Sequence, residues 1–469
     1  MLKPKQYIKK GAFHMNSLVQ NDTKNQLPAE LKNALKELSL FKHLRDCGIK
    51  RNFGFTCSYL FEIVFSLAFL QFNWFNVKFN NIKSENYPGK DAVYRFINYP
   101  SFAWRKFLTR LSCDAIKRVS ALTSENRVNV LIIDDSTFKR DRSKKVELLA
   151  RLWDHVFNRY YKGFKMLTLG WSDGNTFLPC DFALLSSNNS RVNGVDEKID
   201  KRCHGYKRRT EALTPAPDVI PSMIDNALAS GVDATFVLMD SWFTYPPLIR
   251  QIINRGLDVI GMMKDSKQTY LVNGQKLDLQ GLYYSARKVE SSCPNILKVI
   301  IANLAPDIKI KVVFVRHRTK KREWLAILST DITLSEQEII RIYRMRWEIE
   351  TFFKFTKSLL KLQKEFQGRS YDMLISHTTI VFARYIVIAW LDRKNSDDRT
   401  VGGLFSLMCS EMECMDWVEA LCQLLSILEE VAKTASKKTA KIIKMQLLQW
   451  FGNLPLYIRA LLPVCCCES

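Results

Sequence analysis

The sequence predicts an α/β fold on the strength of three observations. Two apolar runs, residues 128–133 and 235–239, have the composition of buried strands, and each ends in an aspartate, Asp134 or Asp240. An amphipathic pattern that begins at Ser335 predicts a helix to about residue 361. Because sites in open α/β sheets lie beyond the carboxyl ends of parallel strands, we expect the two aspartates to share one crevice.

The segments between these runs predict the other core elements in chain order. They comprise a β-hairpin, two helices, a strand, and several short strands separated by turns. The predicted ranges are 165–185 for the hairpin, 218–231 and 246–256 for the helices, 258–263 for the strand and 266–333 for the short strands.

The regions on either side of this core predict mostly helices. Residues 1–120 contain an apolar run at 59–75 that we interpret as a buried helix. The helix that begins near Trp104 has an apolar stripe and, opposite it, a basic side that starts with Arg105. Two helices around a short turn there fit either a helix-turn-helix or an ordinary helical bundle with a basic outer face. A separate helical tail follows residue 395.

Composition indicates a polyanionic partner. The 469 residues carry 70 Lys and Arg against 47 Asp and Glu, a net charge of +23 with a pI near 9.5. The excess is concentrated in three runs, 139–145, 201–209 and 316–322, and DNA contact is the interpretation that we prefer over solvated loops. The 12 cysteines form no Cys-x-x-Cys pair, so the sequence predicts neither a zinc site nor a disulfide framework.

Four polar residues are predicted to share one face of the helix that begins at Ser335. At about 100° per residue, Tyr343, Arg346, Glu350 and Lys357 return to nearly the same direction. One acid among two cations and a phenol is suited to phosphate chemistry. Glu348 is turned about 200° away from Glu350, and we interpret it as a surface acid.

Three carboxylates from two strands and one helix are predicted to meet. Asp134, Asp240 and Glu350 provide the hard oxygen ligands that Mg²⁺ prefers. Two such ions about 4 Å apart support in-line displacement at a phosphate, since one activates the attacking oxygen and the other stabilises the leaving oxygen. This is nuclease and strand-transfer chemistry.

The spacing Tyr-x2-Arg-x3-Glu-x6-Lys at residues 343–357, together with the strands that end in Asp134 and Asp240, resembles the DDE transposases of bacterial insertion sequences. The resemblance implies a ribonuclease-H-like, retroviral-integrase-like core interrupted by a β-rich insertion, with helical N-terminal and C-terminal regions. The implied parts are a DNA-binding region at 1–120, two core segments at 121–265 and 334–395, the insertion at 266–333 between them, and a tail at 396–469.

The resemblance also implies roles for residues. Asp134, Asp240 and Glu350 are the catalytic metal ligands for two Mg²⁺ ions, or Mn²⁺ in their place. Tyr343, Arg346, Lys357 and Trp324 are the implied contacts to DNA, and Lys207, Arg208 and Arg209 of the basic run at 201–209 are added as DNA contacts. The implied reaction is cut-and-paste transposition through a hairpin at the DNA end.

Two of these assignments keep an alternative. Asp134 and Asp135 are adjacent and point to opposite sides of an extended chain, and the family pattern Asp-x-Ser/Thr selects Asp134. Trp324 fits equally a base-stacking residue at the DNA end and a core tryptophan of a sheet.

The expected partners are the terminal inverted repeats of the element and target DNA, with a homodimer in the DNA complex and no membrane. The expected location is the bacterial cytoplasm at the nucleoid, and the chain has no secretory leader; translation starts at Met1 or Met15. Two rival functions are a structure-specific nuclease of the same fold and an inactive relative that only binds DNA.

Overall fold

A large mixed β-sheet with helices packed around it forms the molecule. The computed structural model of the chain describes residues 27–71, 73–74, 88–123, 127–154, 157–195, 199–289, 295–317, 323–366, 368–395 and 400–453. Statements below concern these residues. The part of the 316–322 basic run after residue 317 lies outside them, as does the region before residue 27.

The helices in this part of the chain cluster before, between and after the strands. They are α1 Ala29–Glu37, α2 Leu40–Asp46, α3 Cys57–Ser66, α4 Lys90–Ile97, α5 Trp104–Ala121, α6 His204–Glu211, α7 Ala216–Ala229, α8 Pro246–Ile253, α9 Leu279–Ser285, α10 Glu336–Arg344, α11 Trp347–Ser358, α12 Tyr371–Asn395, α13 Val401–Thr434 and α14 Lys437–Asn453.

The described strands belong to one sheet. They are β1 Val130–Lys139, β2 Ala150–Asp154, β3 Arg159–Ser172, β4 Phe177–Leu185, β5 Phe236–Met239, β6 Asp258–Met262, β7 Tyr270–Val272, β8 Gln275–Leu277, β9 Arg287–Lys288, β10 Ile296–Ala305, β11 Ile308–Arg316 and β12 Trp324–Ser329.

The core half of the sheet has strand order β4-β3-β1-β5-β6. β1 pairs antiparallel with β3, and β3 with β4, whereas β1, β5 and β6 are parallel to one another. The predicted hairpin, helices and strand of this region are confirmed as β3–β4, α7, α8 and β6. The order and directions agree with the predicted ribonuclease-H-like fold.

The other half of the sheet contains the short strands that follow β6. β12 pairs antiparallel with β6 and continues through β11 and β10 to β7 and β8. The predicted strands between residues 266 and 333 are therefore present. The division of the chain into an insertion and separate terminal regions stays a prediction.

Helix α12 forms the centre of the helical layer. It contacts α5 and β4, and its apolar stretch is long enough to cross a membrane but lies entirely inside the protein, as in a core helix. The predicted stripe of α5 is confirmed, because Trp104, Phe107 and Leu111 are fully buried. The helix predicted at 59–75 is shorter: α3 ends at Ser66, and turns follow it.

A buried cluster of charged side chains joins α5, α6, β4 and α12, and we call it the ion-pair cluster. Arg105 pairs with Asp181 and Glu211, so its predicted place on a basic outer face is wrong. Arg208 and Arg209 of α6 pair with acids brought from elsewhere in the chain. The members of the cluster are Arg105, Asp181, Glu211, Glu147, Arg208, Arg209 and Asp372.

Candidate active site

The sheet register sets Asp134 and Asp240 side by side. Ile133 of β1 pairs with Met239 of β5 in parallel register, and each aspartate is the next residue along its strand. Neighbouring strands lie about 4.8 Å apart, so the two carboxylates leave the sheet from adjacent positions. The apolar strand sequences are buried on both faces, which fixes these positions against the core.

Burial and mutual repulsion disfavour the charged forms of both carboxylates. Desolvation raises the pKa of Asp134 to about 7, and the nearby charge of Asp240 adds to this rise while Arg346 opposes it. Burial also raises the pKa of Asp240, although it accepts hydrogen bonds from the backbone N–H groups of Trp242, at 2.9 Å, and Phe243. The pair therefore favours a nearby positive charge.

The helix predicted from Ser335 onward is divided into α10 and α11. Ser335 caps α10 by accepting a hydrogen bond from the N–H of Glu338 at 3.2 Å. Around Met345 and Arg346, the backbone N–H groups bond to carbonyls three residues back, as in a 3₁₀ turn. This tighter turn divides the predicted single helix at Arg346.

Arg346 bridges the strand acid and the helix acid. Its Nη1 lies 3.0 Å from Asp134 Oδ2, and its Nη2 lies 2.5 Å from Glu350 Oε1. The Arg346 side chain is 14% exposed, and that of Glu350 is 35% exposed. A shared guanidinium thus links Asp134 and Glu350.

The other two members of the signature contact the same region. The hydroxyl of Tyr343 is buried next to Arg346, and burial raises its pKa to about 12. Lys357 Nζ donates to Ser136 Oγ at 2.5 Å, two residues along β1 from Asp134. Burial, with the nearby charge of Lys139, lowers the pKa of Lys357 to about 8.

The two adjacent aspartates of β1 have different partners. Asp134 pairs with Arg346, whereas Asp135 pairs with Lys165 of β3 at 3.2 Å. The alternation of side chains along a strand explains the difference. The structure therefore brings Asp134, not Asp135, to the guanidinium that holds Glu350.

The prediction that Glu348 is a surface acid is wrong. Glu348 accepts a hydrogen bond from Ser172 Oγ at 2.8 Å, and burial raises its pKa to about 7. The end of β3 covers this side of α11, which the sequence pattern of the helix alone does not reveal. Glu348 thus lies against the sheet, away from Asp134.

Trp324 lies at the start of β12 in an aromatic group. Its ring stacks on Tyr283 with centroids 4.7 Å apart and planes 8° apart, and Phe314 packs edge-on at 5.0 Å. The side chain is half-buried. This packing agrees with the interpretation of Trp324 as a core tryptophan, although part of its ring stays accessible.

Two of the three basic residues predicted to contact DNA from helix α6 lie in the interior. Arg208 pairs with Asp372 at 2.6 Å, and Arg209 pairs with Glu147 at 2.6 Å and with Asp372 at 2.8 Å. Their predicted DNA contact is wrong, because these acids neutralise and bury them. Lys207 is exposed, and its role stays a prediction.

The donors of this site suit a hard divalent cation by their chemistry. Asp134, Asp240 and Glu350 are oxygen donors, and burial without full charge compensation favours a cation beside the first two. Glu350 is turned to Arg346, and among the described residues no group of three or more His, Cys, Asp or Glu lies close enough to hold an ion. The meeting of all three carboxylates at one ion stays a prediction.

Part of the chain matches a known family of proteins. Residues 83–280 match the family model described as DDE superfamily endonuclease. The match covers less than half of the chain. The match to the DDE domain includes Asp134 and Asp240 and ends before Glu350.

Two solved structures are distant likenesses of the chain. The piggyBac transposase synaptic complex with hairpin DNA has 12% sequence identity and a TM-score of 0.43, covering 95% of this chain and 87% of that chain. The Drosophila P element transposase strand transfer complex has 10% identity and a TM-score of 0.20, covering 56% of each chain. No curated protein sequence matches.

Sequence reasoning missed a second group beside the acids. Trp242 follows Asp240 by two residues and is 52% exposed. The ammonium groups of Lys165 and Lys264 lie 5.4 and 5.3 Å from its ring centroid. The position of Trp242 directly after the strand-ending aspartate was a signal for it, whereas the two lysines are brought there only by the fold.

Proposed function

We propose that this protein is a DDE transposase of the bacterial insertion-sequence group with the Tyr-Arg-Glu-Lys signature. It binds the terminal inverted repeats of its element, cleaves the ends by metal-dependent hydrolysis and joins them to target DNA. The single observation that carries the proposal is the adjacency of Asp134 and Asp240 on parallel strands, with Arg346 linking Asp134 to Glu350. The DDE endonuclease match supports the same reaction class.

The catalytic acids are Asp134, Asp240 and Glu350, and they are the residues that would hold two Mg²⁺ ions, or Mn²⁺ in their place. Such ions supply activation of the attacking oxygen and stabilisation of the leaving oxygen. The raised pKa of Asp134 supports this role, since a carboxyl that is costly to ionise alone gains most from a cation. Rotation of Glu350 about its exposed side chain would complete the set.

The remaining signature residues position DNA. If Glu350 rotates away, Arg346 Nη2 becomes free to donate to a phosphate oxygen, while Nη1 keeps its pairing with Asp134. Lys357 is a point charge beside Ser136, and burial lowers its pKa, so a phosphate next to it would stabilise its charged form. Tyr343 Oη has no hydrogen-bond acceptor in the described structure, so its proton is available for a phosphate oxygen.

The finer features of the proposal follow the same family pattern. We propose a hairpin at the cleaved end, formed when the freed 3′-hydroxyl attacks the opposite strand, and a homodimer in the DNA complex. The location is the bacterial cytoplasm at the nucleoid. The exposed part of Trp324, with Tyr283 behind it, is a surface on which an unpaired base can stack, and stacking of this kind contributes about 1 to 3 kcal/mol.

The direct experiment uses labelled duplexes taken from the DNA that flanks the gene, purified full-length protein and Mg²⁺. Denaturing gels separate nicked, hairpin and joined products. For Glu350→Gln we expect DNA binding close to that of the wild type and a fall in cleavage of roughly a hundredfold or more, because stabilisation of the transition-state charge is lost.

The matched control is Glu348→Gln, which changes an acid of the same helix that faces Ser172 instead of Asp134. It should cleave within a few-fold of the wild type. Wild-type cleavage by Glu350→Gln would refute the assignment of Glu350. Nicks without hairpin or joined product would favour the structure-specific nuclease, and binding without any cleavage would favour the inactive relative.

A further inference from the structure

A groove of about 800 Å³ lies between the loop that follows β1 and the loop that follows α11. One acid, Asp141, lines it, and Lys139 at its edge pairs with Asp154 at 2.9 Å. The other cationic side chains of its lining are Arg140, Arg142, Lys144, Lys145, Lys364 and Arg369. Among the described lining residues, six cations against one acid make this the lining of an anion site, and its volume and charge exceed what a single small anion needs.

Two buried donors on the groove walls have no hydrogen-bond acceptor. Arg140 Nε and Gln363 Nε2 are both inaccessible to solvent and unsatisfied, although Arg140 Nη1 donates to the Gln363 carbonyl at 3.1 Å. An unsatisfied buried donor costs about 1 to 3 kcal/mol, so such groups are expected where a ligand supplies the acceptor. Arg140 and Gln363 both line the groove, so a turn of each side chain toward it would present the unsatisfied donor to an acceptor-rich ligand such as a phosphate.

The walls of the groove are held in place without a ligand. The N–H of Glu147 donates to the Arg369 carbonyl at 2.9 Å, which ties the two loops together. Lys361 and Gln363 have positive φ angles of 58° and 74°, in the left-handed region that side chains other than glycine occupy at a cost. The loop is therefore built to a defined shape.

The groove continues the line of the active site. β1 runs from Asp134 through Ser136, which holds Lys357, to Lys139 at the groove edge. At about 3.3 Å per residue, the edge lies roughly 17 Å from Asp134 along the strand. For a duplex whose axis runs along β1, with one phosphate per strand about every 3.4 Å, this distance corresponds to about five base pairs.

We propose that this groove binds consecutive phosphates of the DNA about five base pairs from the cleaved bond, with Arg140 and Gln363 donating to phosphate oxygens. The proposal rests on the proposed function, since it takes that DNA to be the substrate of the acids. The contacts are to the backbone, so they are independent of base sequence. They set the position of the duplex against Asp134 and Asp240.

The first test measures the salt dependence of binding to a fluorescent random-sequence 30-base-pair duplex. Arg142→Ala, Lys144→Ala and Lys145→Ala are combined in one variant of the full chain. The control combines Lys437→Ala, Lys438→Ala and Lys441→Ala, which removes the same charge from exposed positions on α14. The plot of log affinity against log salt concentration should become shallower by about 2 to 3 in the groove variant, and by less than about 1 in the control.

The second test separates ligand binding from a structural role. Gln363→Met keeps the length of the side chain and removes the unsatisfied donor. We expect an unchanged or higher melting temperature together with an affinity for the duplex that is about three- to tenfold lower. A residue that only supports the fold would lower the melting temperature as well, and that result contradicts the assignment of Gln363.

The outcomes distinguish the groove from the active site. If the wild type binds and nicks DNA but the groove and control variants have the same salt slope, the groove proposal is overturned and the proposed function stands. If the wild type neither binds nor nicks DNA with Mg²⁺, the proposed function fails, and this proposal fails with it.

Discussion

The acids of the candidate active site and the acids of the ion-pair cluster differ in how the protein compensates their charge. In the cluster, three arginines serve four acids, and Asp372 alone contacts both Arg208 and Arg209. At the active site one arginine, Arg346, pairs with two of three acids. Burial without sufficient counter-charge raises the pKa of Asp134 to about 7. The compensated acids hold the fold together, whereas the role that we propose for the under-compensated ones is to bind a cation.

The largest effect is expected from removing a compensated acid. Asp372→Asn leaves Arg208 and Arg209 buried with one charge fewer, and breaking a buried pair of this kind costs about 3 to 5 kcal/mol. Urea denaturation should show a loss of this size in the free energy of unfolding. A loss below about 1 kcal/mol would remove the distinction between the two clusters.

A smaller effect of opposite sign is expected at the active site. The pKa of Asp134 is about 7 in the folded protein, against an ordinary value near 3.8, so the folded state binds the proton more tightly than the unfolded state does. Asp134 therefore costs no stability below about pH 4, and the cost grows between pH 4 and 7 and is complete above pH 7. In EDTA, Asp134→Asn should raise the free energy of unfolding by about 1 to 2 kcal/mol at pH 8 and by little at pH 4. Equal or lower stability at pH 8 would contradict this account.

The sequence reveals the residues of the candidate active site more fully than it reveals the partners within the ion-pair cluster. Asp134, Asp240 and the Tyr-Arg-Glu-Lys signature are marked locally, by apolar strands that end in acids and by helical spacing. The structure sets Asp134 beside Asp240 and links it to Glu350 through Arg346. The fate of Arg208 and Arg209 depends on Asp372, 164 residues from Arg208, and on Glu147, 62 residues from Arg209. No local pattern contains those partners, so a run of cations alone does not separate a DNA contact from a buried ion pair.

Helical spacing predicts neither the division between α10 and α11 nor the burial of Glu348. Helical spacing gives the direction of a side chain but not what lies opposite it. Ser172 at the end of β3 meets Glu348, and the packing of Met345 near Gly174 accompanies the 3₁₀ turn. Trp324 is similar, because Tyr283 and Phe314 reach it only through the fold.

The smallest effect is expected from an under-compensated cation. Burial lowers the pKa of Lys357 to about 8 from its ordinary value near 10.5, so the stability of the fold declines as pH falls through this window. Lys357→Met should raise the free energy of unfolding by about 1 kcal/mol at pH 7, less at pH 10.5, and weaken DNA binding. A loss of stability at pH 7 would show that the bond to Ser136 outweighs the cost of burial.

The central claim is that Asp134, with Asp240 and Glu350, performs metal-dependent cleavage of DNA. The most direct measurement is Mg²⁺-dependent nicking of supercoiled plasmid by the wild type, Asp134→Asn and Asp135→Asn. These two variants remove the same charge from neighbouring positions, one paired with Arg346 and the other with Lys165. The account predicts loss of nicking in Asp134→Asn and nicking within a few-fold of the wild type in Asp135→Asn. Retained nicking in Asp134→Asn, or loss in Asp135→Asn alone, would contradict it.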